Sequence, residues 1–260
     1  VIRPHFPYCG FTEDAVLAVK GVVDALEIRQ NRAGGFPLQE WYRYLNNGYR
    51  VAVAGGTDKM GAYCALGSLR TYAQLPAGEP LTYETWARAV RAGRTISTNG
   101  PLLDLLVDGH GIGDSIAMPG NAGGVQVQAR AESVFGLGTI EIVHNGRVVA
   151  SESAPTGAER LTVDARVEVK GSGWIAARCS GTPNAPSSYT AAHTSPVYLQ
   201  CGGDRPYDGP ALEHMLNLTR GGIEYLQTLS TRFDGREQAR IVRLYQEVAD
   251  HLAERIRSGR

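Results

Sequence analysis

The sequence has no excess of charge of either sign, no long apolar run and no paired-cysteine motif, and each absence excludes something. Lys plus Arg and Asp plus Glu number 26 each in 260 residues, so no net field draws the chain to nucleic acid or to an anionic membrane. No window approaches the roughly 18 apolar residues of a spanning helix, and the N-terminus lacks the basic-then-apolar plan of a signal peptide. A soluble chain with neither a nucleic-acid nor a membrane partner is expected, and its compartment is left open. The four cysteines, Cys9, Cys64, Cys179 and Cys201, are scattered without CxxC spacing, which excludes a zinc ribbon and a thioredoxin-type redox pair. Cys179 and Cys201 could bridge neighbouring strands in an oxidising compartment, or stay free and buried.

The composition, 43% hydrophobic and 20% charged, suffices for one large core or two to three smaller ones. Up to about residue 96, apolar strand-like runs alternate with amphipathic helices, the pattern of an α/β architecture. Thr12 is placed to cap a helix led by Glu13 and Asp14 and ended by Gly21. VVDALEI then reads as a buried strand, Pro37 opens a helix that Gly48 stops, and YRVAVAGG is the next strand. Thr82 caps a further helix, with Trp86, Ala89 and Val90 on one face, that Gly93 closes.

Near residue 98 the texture changes to short alternating runs separated by Gly, Asn and Pro: LLDLLVD, VQVQARAE, TIEIVH, RVVASE, RLTVDARVEV, GWIAARC and SPVYLQ. About seven such strands suggest a β-sandwich over 97–202. Asn145-Gly146 fits a two-residue type I′ hairpin turn, which needs positive φ at both positions. Arg94, Thr95 and Asn99-Gly100-Pro101 mark the passage into this region and read as structural. Over 203–260 the chain turns helical again, with Gly221-Gly222 expected to break or kink the first run. Ile241, Leu244, Val248, Leu252 and Ile256 form a stripe that predicts a docked helical hairpin.

In α/β sheets functional groups gather at the C-terminal ends of the strands. That rule selects His5 after the first run, Glu27 at the end of VVDALEI, and Asp58 in VAVAGGTDKMG. An imidazole and two carboxylates on one rim could hold a divalent cation such as zinc or manganese and generate hydroxide near neutral pH, the chemistry of a hydrolase. The same residues also have ordinary readings. His5 lies between two prolines as a loop residue, Glu27 pairs with Arg29 or Arg32, and Asp58 caps its own turn.

The blocks PHFPYCG, DALEI, WYRYLNNGYRVAVAGGTDK, LGSLRTYAQL, AVRAGRTISTNGPLLDLLVDG, GWIAARC and AHTSPVYL, in that order over roughly residues 1–200, resemble the CehA/McbA-type metallohydrolases of the PHP (polymerase and histidinol phosphatase) superfamily. The resemblance implies the C-terminal part of a (β/α)7 barrel over 1–96 with a metal cluster at its rim, an immunoglobulin-like β-sandwich over 97–202, and the helical segment at 203–260. It implies hydrolysis of a phosphoester, or of a carbamate, ester or amide bond, in a small-molecule substrate, with zinc, manganese or iron. His5 is similar to a family histidine and Asp58 to the aspartate of the final Asp-x-His metal motif. Lys59 is placed to neutralise charge on a phosphate or carbonyl oxygen, while Arg178 and His193 could touch an anionic substrate or form a hydrogen-bonded domain junction.

The sequence departs from the family in two ways. Lys59-Met60 stands where x-His is expected, and a thioether does not replace an imidazole toward a hard or borderline cation. The opening His-x-His motif is absent, and about three strands cannot close a barrel or cover their own edges. The expectation is the C-terminal portion of a longer hydrolase, its missing strands supplied by an upstream segment or a second chain. An exposed sheet edge also favours a homo-oligomer. The competing expectation is a non-catalytic protein that keeps the fold, its sandwich and helices serving binding or assembly.

Overall fold

The computed structural model of the chain describes residues 2–4, 11–28, 36–63, 65–120, 122–183 and 189–260. It is a mixed helix and sheet protein. Three short parallel strands, β1 (Ile2–Pro4), β2 (Ala25–Glu27) and β3 (Ala52–Ala54), stand in that order in one sheet. Helices α1 (Phe11–Lys20) and α2 (Phe36–Leu45) make the two crossovers. Gly21 and Gly48, both at positive φ, lie just past the two helices, as their positions suggest. The strands are shorter than the apolar runs that announce them.

One face of this sheet presents Ala25, Ala52 and Ala54 to Val90 of α3 (Tyr83–Arg91). Thr82 caps α3 through a reciprocal bond with Thr85. The other side belongs to a larger core that gathers Leu26, Ile28, Val53, Trp41, Leu45, Leu212, Met215, Val248 and Leu252.

The remaining strands form a nine-stranded, mainly antiparallel sheet that curls on itself: β4 (Arg70–Ala73), β5 (Thr95–Thr98), β6 (Leu102–Val107), β7 (Ser115–Met118), β8 (Ala122–His144), β9 (Arg147–Lys170), β10 (Gly173–Gly181), β11 (Ala191–Thr194) and β12 (Val197–Cys201). VQVQARAE and TIEIVH are not separate strands but parts of β8, and RVVASE and RLTVDARVEV are parts of β9. Pairing between β8 and β9 absorbs the glycines as register shifts, so the chain bends without stopping. Asn145 and Gly146 turn the hairpin at φ 49 and 83, as their identity requires.

β6 pairs with the first half of β8 and β10 with the second, which folds the sheet around Leu103, Leu105, Val127, Ile140, Ile142, Ile175 and Leu199. β10 alternates between two cores. Ile175, Ala177 and Cys179 face the inside of the curl, while Trp174 and Ala176 face the α/β unit. Cys179 and Cys201 are free and buried, so no bridge joins them. β4 and β5, which begin before residue 97, belong to the curled sheet through β11.

Helices α4 (Gly209–Thr228) and α5 (Gly235–Ser258) form the docked hairpin. Gly221-Gly222 neither breaks nor ends α4. Gly222 instead admits the Tyr245 ring, since a Cβ there would lie 2.6 Å from its Cε1. In α5, Val248 and Leu252 are buried as their spacing predicts, Ile241 and Ile256 pack against the core, and Tyr245 takes the buried place that Leu244 was expected to fill.

Candidate functional site

The C-terminal ends of β2 and β3 bring two of the expected residues to one rim. Glu27 is partly buried, and its carboxylate lies against Gly56, where a Cβ would stand 2.8 Å from Oε1. Asp58 is exposed at φ 48, a left-handed conformation that Asp tolerates better than most residues. Thr57 fixes the loop that follows by donating to Leu69 O and accepting from Gly67 N. Lys59 is exposed and gives its Nζ to Gly61 O at 2.8 Å, and Met60 is 77% exposed. His5 lies outside the described residues. Glu27 and Asp58 are hard oxygen donors suited to a divalent cation, but no group of three His, Cys, Asp or Glu able to hold a metal gathers among the described residues.

Arg178 and His193 occupy a different place. Cross-strand pairing lines up Thr71, Ser97, His193, Arg178 and Glu141 in one row on the sheet face that meets the α/β unit. His193 is 1% exposed. Its Nδ1 lies 2.7 Å from Thr194 O and its Nε2 lies 2.6 Å from Tyr42 Oη. A carbonyl only accepts, so Nδ1 carries the proton and Nε2 accepts from the Tyr42 hydroxyl. Burial, aided by the Arg178 charge, pushes the imidazole down to about 3 and holds it neutral. Burial likewise raises the Tyr42 phenol. Arg178 is held by Glu141. Tyr42 also packs, with its ring tilted, against Trp174, whose Nε1 donates to Asn46 Oδ1 at 2.8 Å. Arg178 and His193 are thus committed to protein partners in the joint between α2 and the curled sheet.

The residues that sequence reasoning missed are hydroxyls. Among the described residues the outward edge of β3 has no neighbouring strand, yet Val53 N donates to Ser195 Oγ, Thr95 Oγ1 donates to Val53 O, and the Thr71 hydroxyl both accepts from Gly55 N and donates to Gly55 O. Three side chains replace a strand and bind the small sheet to the large one. The period-two spacing of Thr95 and Ser97 was the available signal, but it identifies a strand face without naming its partner. The Ser97 hydroxyl, in the same row, is buried with no hydrogen-bond partner among the described residues.

No family model matches the chain, and no curated protein matches it.

Proposed function

We propose that the chain forms part of a PHP-type metal-dependent hydrolase acting on a phosphoester or on a carbamate, ester or amide bond, with an immunoglobulin-like sandwich and a helical hairpin as its accessory parts. One observation carries this reading: among parallel strands joined by helices, β2 ends at Glu27 and the loop that leaves the adjacent β3 carries Asp58, on the side where α/β folds place their chemistry. A divalent zinc, manganese or iron ion supplies activated water at such a rim. Within this chain, Glu27 and Asp58 would donate to the ion, and His5 is the candidate to join them. Lys59, which donates to Gly61 O, is the cation that would meet a developing negative charge.

Elemental analysis of the native full-length protein tests the reading. Stoichiometric metal that Asp58→Ala and Glu27→Gln each remove supports it, and metal-free native protein sinks it. The second reading, a non-catalytic relative used for binding or assembly, is favoured by Met60, which stands exposed where the family has an imidazole. Under that reading neither substitution changes metal content.

A further inference from the structure

At the opposite end of the parallel strands, a cleft of about 360 Å3 opens before β2 and β3, lined by Gly21, Asp24, Tyr49, Arg50, Arg91 and Arg205 among others. Its charges do not balance. Asp24 pairs with Arg91 at 3.5 Å, whereas neither Arg50 nor Arg205 has an aspartate or glutamate within ion-pair distance among the described residues. Arg50 donates to Ser115 Oγ at 2.8 Å and lies over the Tyr198 ring. Arg205 lies over the Tyr49 ring, 4.5 Å from its centroid, and packs flat on Gly48, where a Cβ would stand 2.9 Å from its Cγ.

A third guanidinium intensifies the field. Arg255 is 6% exposed, and its Nη1 donates to Asn47 O, the same carbonyl that accepts from Arg205 Nε. The two donor nitrogens therefore lie within two hydrogen-bond lengths of each other, over a shared tyrosine. Arg255 is satisfied by carbonyls, including Pro206 O, and by its place in the last turn of α5, where the helix dipole favours a cation. Arg205 has one carbonyl, Asn47 O, and the Tyr49 ring, and no helix end of its own. Burial first, then the charge of Arg255, holds its guanidinium below the ordinary value, and burial with Arg205, Arg255 and Lys20 does the same to His251. Guanidinium groups remain protonated, so a bound anion would relieve this repulsion. A phosphate dianion suits two forks that have no carboxylate partner among the described residues better than a single carboxylate does.

We propose that this cleft is a binding site for a small phosphate-bearing anion, with Arg50 and Arg205 as its ligating side chains. The site is independent of the rim at Asp58 and serves as a docking point for a phosphorylated metabolite or inorganic phosphate. Titration calorimetry of the protein with inorganic phosphate and with pyrophosphate tests it, malonate serving as a carboxylate comparator. Saturable binding of a phosphate probe is expected, weakened about tenfold or more by Arg205→Gln and by Arg50→Gln, as loss of a charged hydrogen bond implies. Both side chains are on the surface, and unchanged circular dichroism would confirm that the variants fold. Asp58→Ala leaves the binding intact, so failure of the metal reading is distinguishable. The proposal is overturned if neither phosphate probe binds saturably, if only malonate binds, if both variants bind as the wild type does, or if sodium chloride at matched ionic strength reproduces the heat.

Discussion

The hydroxyls of Thr95 and Ser195 meet at 2.7 Å beside β3, and their protons can be assigned. Thr95 spends its proton on Val53 O, so Ser195 must donate to Thr95 while accepting from Val53 N. The result is a closed ring of hydrogen bonds on one residue's main chain, buried among side chains at 0% exposure.

Breaking that ring leaves a buried main-chain group without a partner. Ser195→Ala or Thr95→Val should each cost about 1–3 kcal/mol, and the double variant less than the sum because both act on one network. Urea unfolding gives the energies, and hydrogen exchange at the Val53 amide should accelerate in both single variants. Unchanged exchange would show that the ring does not hold the edge.

The His193–Tyr42 bond predicts a pH dependence. The imidazole is held at about 3 in the folded protein against 6.5 when exposed, so the unfolded chain binds the extra proton between those values. Its contribution to stability is complete above pH 6.5 and is lost as pH falls toward 3. Urea midpoints at pH 7, 6 and 5 should fall more steeply for the wild type than for His193→Gln. Tyr42→Phe should cost about 1–3 kcal/mol by stranding Nε2.

Adjacent glycines in α4 should respond oppositely. Gly221 has open space around it, so Gly221→Ala should stabilise by roughly 0.5–1 kcal/mol through helix propensity. Gly222→Ala pushes a methyl group into Tyr245 and into Thr12, whose Cβ it would approach to 3.3 Å, and should cost about 1–3 kcal/mol despite the same propensity gain. Thermal unfolding of the two variants decides the matter.

At the β8–β9 turn, Gly146→Ala meets only ordinary contacts, the nearest at 3.5 Å. Its cost should therefore be the backbone strain of φ 83, about 1–2 kcal/mol. A neutral substitution in a urea titration would contradict the type I′ assignment.

Cys179 and Cys201 should resist alkylation in the native state, because both thiols are buried and that of Cys179 is pushed up to about 12. Peptide mapping after iodoacetamide should find both unlabelled natively and fully labelled in denaturant without reductant. Failure to label in denaturant would indicate a bridge.

The sequence by itself determined the local elements. Thr82 with Thr85, Asn145-Gly146 and the apolar stripe of α5 carry their instructions in residues a few positions apart, because capping, positive φ and helical periodicity are short-range effects. It also marked Glu27 and Asp58 as strand-end acids. Only the tertiary structure decided that Gly222 makes room for Tyr245, that β8 and β9 run on through their glycines, and that His193 binds Tyr42 across 151 positions. It alone closed the β3 edge with Thr71, Thr95 and Ser195, and brought Arg205 and Arg255 to one carbonyl. Such pairings depend on which surfaces meet, and a hydroxyl or a guanidinium reads the same in sequence whether it faces water or an unpaired main-chain group.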